Sequence, residues 1–498
     1  MGERGASCHR VRERIDGSGH RLGWSAAWLS LVGSVLLCPG QAWAQDASNE
    51  STQDTPTQDA ATRPKLSSNR WQEDWSPLAD PSLRTDWGDA LKYLSLSADD
   101  PKAYLSLGAN LRERVEMLDA PNFGVGGSAN NTYLLQRLQV HADLRLDEHW
   151  QGFVQIEDAR TVNKNVIGGA DRNPWDLRLA FVAYTRRFAA GTFKARIGRQ
   201  DFAFDLQRFV SLRDGPNVRQ SFDAIWADWE TGKWRFIGFM SQPVQYRDEH
   251  PFDDVSNHRF RFNTLRVERL VWGHNELSAY YSLYSRDNVR YLDAAGDERR
   301  DVYDMRFAGS ALGLDWDLEG MEQRGHVGSK DIDAWGTGAR VGFTWERPSW
   351  HPRLGIQFDA ASGDRHPKDN TLGTFNPLFP NGYYFTLAGF TGYTNLVHVK
   401  PALTIKPIVG LTLTGGVGFQ WRQVTSDAIY LQPNIPLPGT AGEGGHWTGA
   451  YGQLRADYSF NANFTGAVEA VHFDVGRAIR QVGGRDGDYL GVELKYMW

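Results

Sequence analysis

The last ten residues, Tyr489 to Trp498, alternate without a break. Leu490, Val492, Leu494, Tyr496 and Trp498 fall on one side of an extended strand, and Gly491, Glu493, Lys495 and Met497 fall on the other. An apolar face ending in two aromatics, opposite a face with a carboxylate and an ammonium, suits a strand with lipid outside and water inside. In hydrocarbon such a strand must be paired on both edges, so the sequence predicts an all-β chain closed into a transmembrane barrel.

Composition agrees with this. Mean hydropathy is negative, aromatics reach 12% and glycine numbers 52. A helical membrane protein would be far more apolar, whereas a barrel alternates apolar and polar positions and averages out hydrophilic. At the N-terminus, Arg4, Arg10, Arg12, Arg14 and Arg21 precede an apolar run from Leu22 to Leu37, and Ala42-Trp43-Ala44 follows as a small-x-small site. Residues 1–44 are read as a signal peptide cleaved before Gln45. Both cysteines, Cys8 and Cys38, lie in it, so the mature chain is expected to hold no disulfide, thiolate metal site or thiol nucleophile. Subtracting its five Lys/Arg and three Asp/Glu from totals of 54 and 60 leaves 49 against 57, a net −8 that gives no support to a nucleic-acid partner.

Residues 45–70 have Leu66 as their only large aliphatic and are expected to be a disordered periplasmic tail. Residues 71–102 regain Trp71, Trp75, Trp87, Leu91, Tyr93 and Leu94 without a sustained period, and are read as a periplasmic lead-in. The barrel itself is assigned to 103–498. There Leu105, Leu107, Ala109, Leu111 and Val115 oppose Ser106, Gly108, Asn110, Arg112, Arg114 and Glu116. Leu177, Leu179, Phe181 and Ala183 are set against Arg178, Tyr184 and Arg186; Phe193, Ala195 and Ile197 against Lys194 and Arg196; Leu314, Trp316 and Leu318 against Asp315, Asp317 and Glu319. Charges on one face of strand after strand imply an interior filled with water.

Segments of this kind number eighteen, and the connections after even-numbered strands are short while most of those after odd-numbered strands are long. That parity puts short turns in the periplasm and long loops outside. The longest loop is 363–393, and the stretch from Asn370 to Val399 contains no charged residue, but its Gly and Pro residues argue against a membrane helix and for a loop folded over or into the mouth. Trp150, Trp175, Trp226, Trp234, Trp335, Trp345, Trp350, Trp421 and Trp447 are read as interface anchors.

Three stretches are more specific. Ile197-Gly198-Arg199-Gln200-Asp201 is followed by Gln207-Arg208-Phe209-Val210 and Ser221-Phe222-Asp223-Ala224; Ala361-Ser362-Gly363-Asp364 leads to Leu372-Gly373-Thr374-Phe375-Asn376-Pro377; Trp421-Arg422-Gln423 precedes Ser426-Asp427-Ala428. With Tyr104-Leu105-Ser106-Leu107-Gly108 and Leu111-Arg112-Glu113-Arg114, they resemble the alginate-export family of bacterial outer-membrane porins. The resemblance implies an eighteen-stranded monomeric barrel in the Gram-negative outer membrane. It also implies an electropositive lumen that passes the anionic polysaccharide alginate from periplasm to exterior.

Arg keeps its charge at any relevant pH and offers a fork of donors to each uronate carboxylate, while opposing acids keep any one site from holding the polymer too tightly. The residues expected to line the pore are Arg112, Arg114, Arg137, Arg178, Lys194, Arg196, Arg199, Arg208, Arg340, Arg422 and Arg455, with Asp201, Asp223, Asp315, Asp317 and Glu319 as counter-charges. Each can equally brace the wall, and Arg199, Asp201, Arg208 and Asp223 can instead pin the loop between the fifth and sixth strands. The expected partners are outer-membrane lipid, the polysaccharide and a periplasmic secretion partner. No cofactor is expected, although Ca²⁺ could bind at Asp331–Asp333 or Asp486–Asp488.

Other readings are an uptake porin for small anionic or polar solutes, an outer-membrane hydrolase using His472, and a large soluble β protein. Gly336-Thr337-Gly338 with Gly342 lies in an alternating strand rather than at a strand-to-helix turn, so it is read as strand glycine and not as a dinucleotide loop.

Overall fold

The computed structural model describes residues 62–127 and 129–498; the expected signal peptide and most of the expected disordered tail lie outside them. The strands are β1 (Tyr104–Leu118), β2 (Asn131–Arg145), β3 (Trp150–Val162), β4 (Asn173–Phe188), β5 (Gly191–Gln200), β6 (Phe222–Thr231), β7 (Trp234–Gln245), β8 (Phe260–Trp272) and β9 (Asn275–Arg290). The second half comprises β10 (Ala295–Ala311), β11 (Leu314–Val327), β12 (Lys330–Thr344), β13 (Arg353–Ala361), β14 (Leu396–Ile408), β15 (Leu411–Trp421), β16 (Trp447–Ser459), β17 (Phe464–Val475) and β18 (Gly487–Met497).

Each strand is antiparallel to the next, and β18 returns to β1 in the register Arg112↔Lys495, Arg114↔Glu493, Val115↔Val492. The 18-stranded ring is therefore closed and leaves no edge. Leu490, Val492, Leu494 and Tyr496 are exposed on the outside, whereas Glu493 is buried inside. Short periplasmic turns use glycine where the backbone must enter the left-handed region, as at Gly232 (φ 57) and Gly410 (φ 82). Trp150, Trp234, Trp345 and Trp350 emerge at the periplasmic end and Trp175 and Trp447 at the external end, each with about two-fifths of its surface exposed. They form two aromatic girdles.

Three expectations need correction. β10 and β11 run longer than their apolar alternation indicates. Beyond the membrane both faces turn polar, with Arg299 and Asp301 outward against Glu298 and Arg300 inward, so the connections after β9 and β11 are tight hairpins at 291–294 and 328–329. In β4 the phase is inverted. Leu179, Phe181 and Ala183 point inward and cluster with Phe153 beneath Trp71, while Val182 is exposed outside. A bulge opposite Gln155 and Ile156 leaves Arg178 facing inward as well. Finally, Trp226 is no anchor: it is buried inside, with the Arg196 guanidinium 4.4 Å from its ring centre.

Nor is the interior a water-filled tube. The loop 201–221 and the loop 362–395 fold into the external half, where Phe202, Phe209, Phe375, Phe379, Tyr384 and Tyr393 pack against inward aromatics of β6 to β9. The two loops join each other through a parallel bridge between Val210 and Phe379. β12 makes room for them with glycine on its inner face, since a Cβ at Gly336 would meet the Phe375 ring and one at Gly338 would meet Arg208.

Candidate permeation pathway

The lead-in closes part of the periplasmic mouth. At its start, Arg63 pairs with Asp86 and Asp89, and Arg70, buried, pairs with Glu73 and reaches the Trp498 carbonyl at 3.0 Å. These ion pairs order residues 62–70, which composition alone assigned to a disordered tail. Trp71 lies edge-on to Phe181, and the Arg196 guanidinium is 4.2 Å from its ring centre and thus sandwiched between Trp71 and Trp226. Arg145 and Gln151 donate to the Trp71 carbonyl, Tyr104 Oη accepts from the Trp75 amide, and Lys92 Nζ donates to the Leu107 carbonyl. These wall groups come from β1 to β6, joined by Trp498 just beyond β18. Burial, then the nearby Arg70 charge, push the Lys92 ammonium down to about 7.

Above the lead-in, arginines of the wall hold the inserted loops. Arg112 donates to the carbonyls of Asp214 and Pro216 and to Asn217, and Arg137 pairs with Asp214 at 2.6 Å. Arg178 donates to Asp201 at 3.1 Å and to Ser221. Arg114 joins Glu116, Glu469 and Glu493 beneath the Tyr383 ring. Arg208, from the loop, is fully buried among Asp317, Glu319, Asp359 and Tyr384 Oη.

The periplasmic half opposite the lead-in stays accessible. Side chains there retain about a third of their exposure: Arg353 and Asp315 at 33% each, Arg455 at 29% beside Asp457 and Glu469, Lys495 at 35% beside Glu493. Lys194 pairs with Glu230 at 2.7 Å on the same inner surface. Arg340 and Lys400 project above Arg353, toward the loop residues Tyr384 and Phe385.

Besides the buried arginines that hold the loops, three of the residues expected to line the pore lie outside the barrel interior. Arg199 and Asp223 pair with each other in register, two positions from Ile197 and Ile225, which are the exposed lipid face. They hold the external loop 246–259 against the outer rim through the Asp254 carbonyl and Ser256. Arg422 donates to the carbonyls of Thr425, Asp427, Thr440, Glu443 and Gly445, and so ties the external loop 422–446 together. Conversely, Arg353 and Asp214 reach the accessible interior without standing among those residues. Lys495 lies beside Glu493 on the inner face, as the alternation of the final strand indicates.

The acidic pairs proposed for Ca²⁺ are engaged otherwise. Asp333 pairs with Arg324, Asp486 accepts from Arg480 and the Val475 amide, and Asp488 pairs with His472. The structure instead brings together Asp176, Asp253 and Asp254, with ligand atoms within 4.8 Å of one another. Burial, with a contribution from Asp176, raises the Asp254 carboxyl to about 6. A raised carboxyl lets the packed loop bind its proton more tightly than the free loop, so loop packing weakens as pH rises from about 4 to about 6. Hydrogen exchange in 246–259, corrected for intrinsic rate, is expected to be slower at the acid end of that range, and Asp254→Asn is expected to abolish the difference. An unchanged difference in Asp254→Asn would assign it to another group.

His472 does face outward and accompanies Asp488 at 2.7 Å, yet its register partner on the other side is Gly452, which offers no nucleophile.

A closed antiparallel barrel with aromatic girdles, an apolar outer band and a polar interior narrowed by inserted loops is an outer-membrane channel. Residues 103–493 match the family described as alginate export, and the chain belongs to that family. Among solved structures it is similar to OccAB1 of Acinetobacter baumannii (12% identity, 82% of this chain and 99% of that one, TM-score 0.53). It is likewise similar to OccK9 (OpdG) of Pseudomonas aeruginosa (13% identity, 79% and 98%, TM-score 0.52). A third, OccK2 (OpdF) of the same organism, was solved in complex with glucuronate (13% identity, 79% and 98%, TM-score 0.50). No curated protein matches the sequence.

Proposed function

We propose that this channel passes an anionic polysaccharide, an alginate-like polyuronate, from periplasm to exterior. One observation carries this reading beyond the family. The accessible inner surface of the periplasmic half presents Arg340, Lys400, Arg353, Arg455 and Lys495 along the wall from β12 to β18. A polymer with one carboxylate per sugar meets a succession of cations there, while Asp315, Asp457 and Glu493 beside them prevent tight retention at any one. Arg112, Arg114, Arg137 and Arg178 support the passage by fixing the loops that narrow it. A periplasmic partner delivering the polymer would dock on the short turns around the lead-in.

A second reading is uptake of small anions. It is favoured by the depth to which loops fill the external half and by the glucuronate bound in OccK2. Planar bilayers separate the two. For polysaccharide passage, the reconstituted protein is expected to select anions and to be blocked by mannuronate and guluronate polymers. Cation selectivity without polymer block would overturn the polyuronate assignment and leave the channel intact; glucuronate permeation without polymer block would favour uptake.

A further inference from the structure

Cations on the inner wall from β11 round to β1 mostly have a carboxylate within ion-pair reach. Arg114, Arg353, Arg455 and Lys495 each do, as does Arg208 of the inserted loop. Two do not: among the described residues, no carboxylate lies within ion-pair distance of Arg340 or Lys400. Nor are they apart. Arg340 is registered with Gln357, and Gln357 with Lys400, so the two cations stand on one rung of three adjacent strands, about 10 Å apart at the backbone.

The acids nearest this rung are aimed elsewhere. Asp317, the register partner of Arg340 on β11, is taken by Arg306 at 2.6 Å and Arg208 at 3.3 Å. Asp359 is taken by His398 at 3.0 Å, Gln357 at 2.7 Å, Tyr384 Oη at 2.9 Å and Tyr393 Oη at 3.0 Å. What the rung does have is support from the loop above. The Arg340 guanidinium lies 4.9 Å from the Tyr384 ring centre, and Lys400 Nζ donates to the Phe385 carbonyl at 3.0 Å. These contacts orient the cations without neutralising them. Arg340 Nε is buried with no hydrogen-bond partner, and Lys400 has used one of its three donors. Toward the periplasm the wall continues in small side chains, Ala402 and Thr404 on β14 and Thr414 on β15, which leave space beneath the rung.

We propose that Arg340 and Lys400 form a carboxylate-binding station at the top of the periplasmic vestibule, where a uronate entering the channel first exchanges water for protein donors. The station deepens the polyuronate reading and rests on it for the identity of the anion. Its chemistry is that of a monocarboxylate received by a guanidinium and an ammonium from adjacent positions on one rung. Charges braced by acids, such as Lys194 beside Glu230 on β5, contribute to the average field and do not bind.

The test uses the full-length protein in planar bilayers, with oligomannuronate as blocker and glucuronate as small competitor of the chloride current. Arg340→Gln and Lys400→Met are each expected to raise the half-blocking concentration about tenfold, and the double variant more. Lys194→Gln, on the inner wall of β5 beside Glu230, removes the same unit charge and is expected to change it less than twofold. Thermal unfolding in detergent verifies that each variant is folded. Equal effects at Arg340, Lys400 and Lys194 would overturn the station in favour of a diffuse field, whether or not polymer blocks. If the unsubstituted channel ignores polymer while glucuronate competition still depends on Arg340 and Lys400, the station stands and the polyuronate reading falls.

Discussion

A chain lacking residues 62–100 is expected to conduct several-fold more current per channel than the intact protein. In the intact chain these residues occupy the periplasmic mouth on the side of β1 to β6, and they reach the wall by side chains rather than by continuous backbone pairing: only Leu94 and Ser95 add to the barrel sheet. The principal latch is Arg196 between Trp71 and Trp226, two cation–π contacts in a partly desolvated site, worth about 1–2 kcal/mol each. Trp71→Ala also removes the apolar cover of Phe153, Phe181 and Leu179. It should therefore give frequent full openings without deletion, which separates a displaced plug from a barrel that failed to assemble. Conductance that stays unchanged in both variants would mean that ions already bypass the lead-in.

The second large effect is expected at Arg208. Its guanidinium is the common partner of Asp317, Glu319 and Asp359, and the Tyr384 hydroxyl accepts from its Nε at 2.7 Å. Removing one member of a buried ion pair costs about 3–5 kcal/mol, because the partner charges are left without compensation. Here three carboxylates are left facing one another. Arg208→Leu is expected to detach the loop 201–221 from β11 to β13. The unfolding midpoint in detergent should then fall and the current become noisy, while the barrel strands persist by infrared spectroscopy. Arg208→Lys should recover only part, since an ammonium cannot address three acids and a hydroxyl with a planar fork. A variant with unaltered midpoint and quiet current would show that Phe209 and the Val210–Phe379 bridge suffice to hold the loop.

The outside of this molecule was legible in its sequence because a period of two reports directly which side chains meet lipid. Leu490, Val492, Leu494 and Tyr496 declared both the final strand and its partner. Arg199 and Asp223 could have been placed by the same rule, since each shares parity with an exposed isoleucine; the motif around them drew attention inward instead. The inside was less legible for a physical reason. Whether an inward residue meets water, a loop or the lead-in depends on chain far away in sequence, and alternation carries no information about that. Leu179 and Phe181 read as lipid-facing because they are apolar, yet they are apolar because Trp71 covers them. Arg422 read as a pore cation until the carbonyls of its own loop proved to surround it. Arg208 and Asp201 lie outside any strand, and only the fold brings them to Glu319 and Arg178.

The meeting of Trp498 with the lead-in also has a temporal meaning. Trp87 stacks on Trp498 at 5.5 Å, the Lys92 ammonium lies 5.0 Å from its ring centre and Arg70 takes its carbonyl. That receptor directly follows β18, and it comes into position only when β18 has zipped onto β1. A segment made before any barrel strand is thus seated only after β18 has paired, and the barrel passes through an unstoppered stage each time it is built.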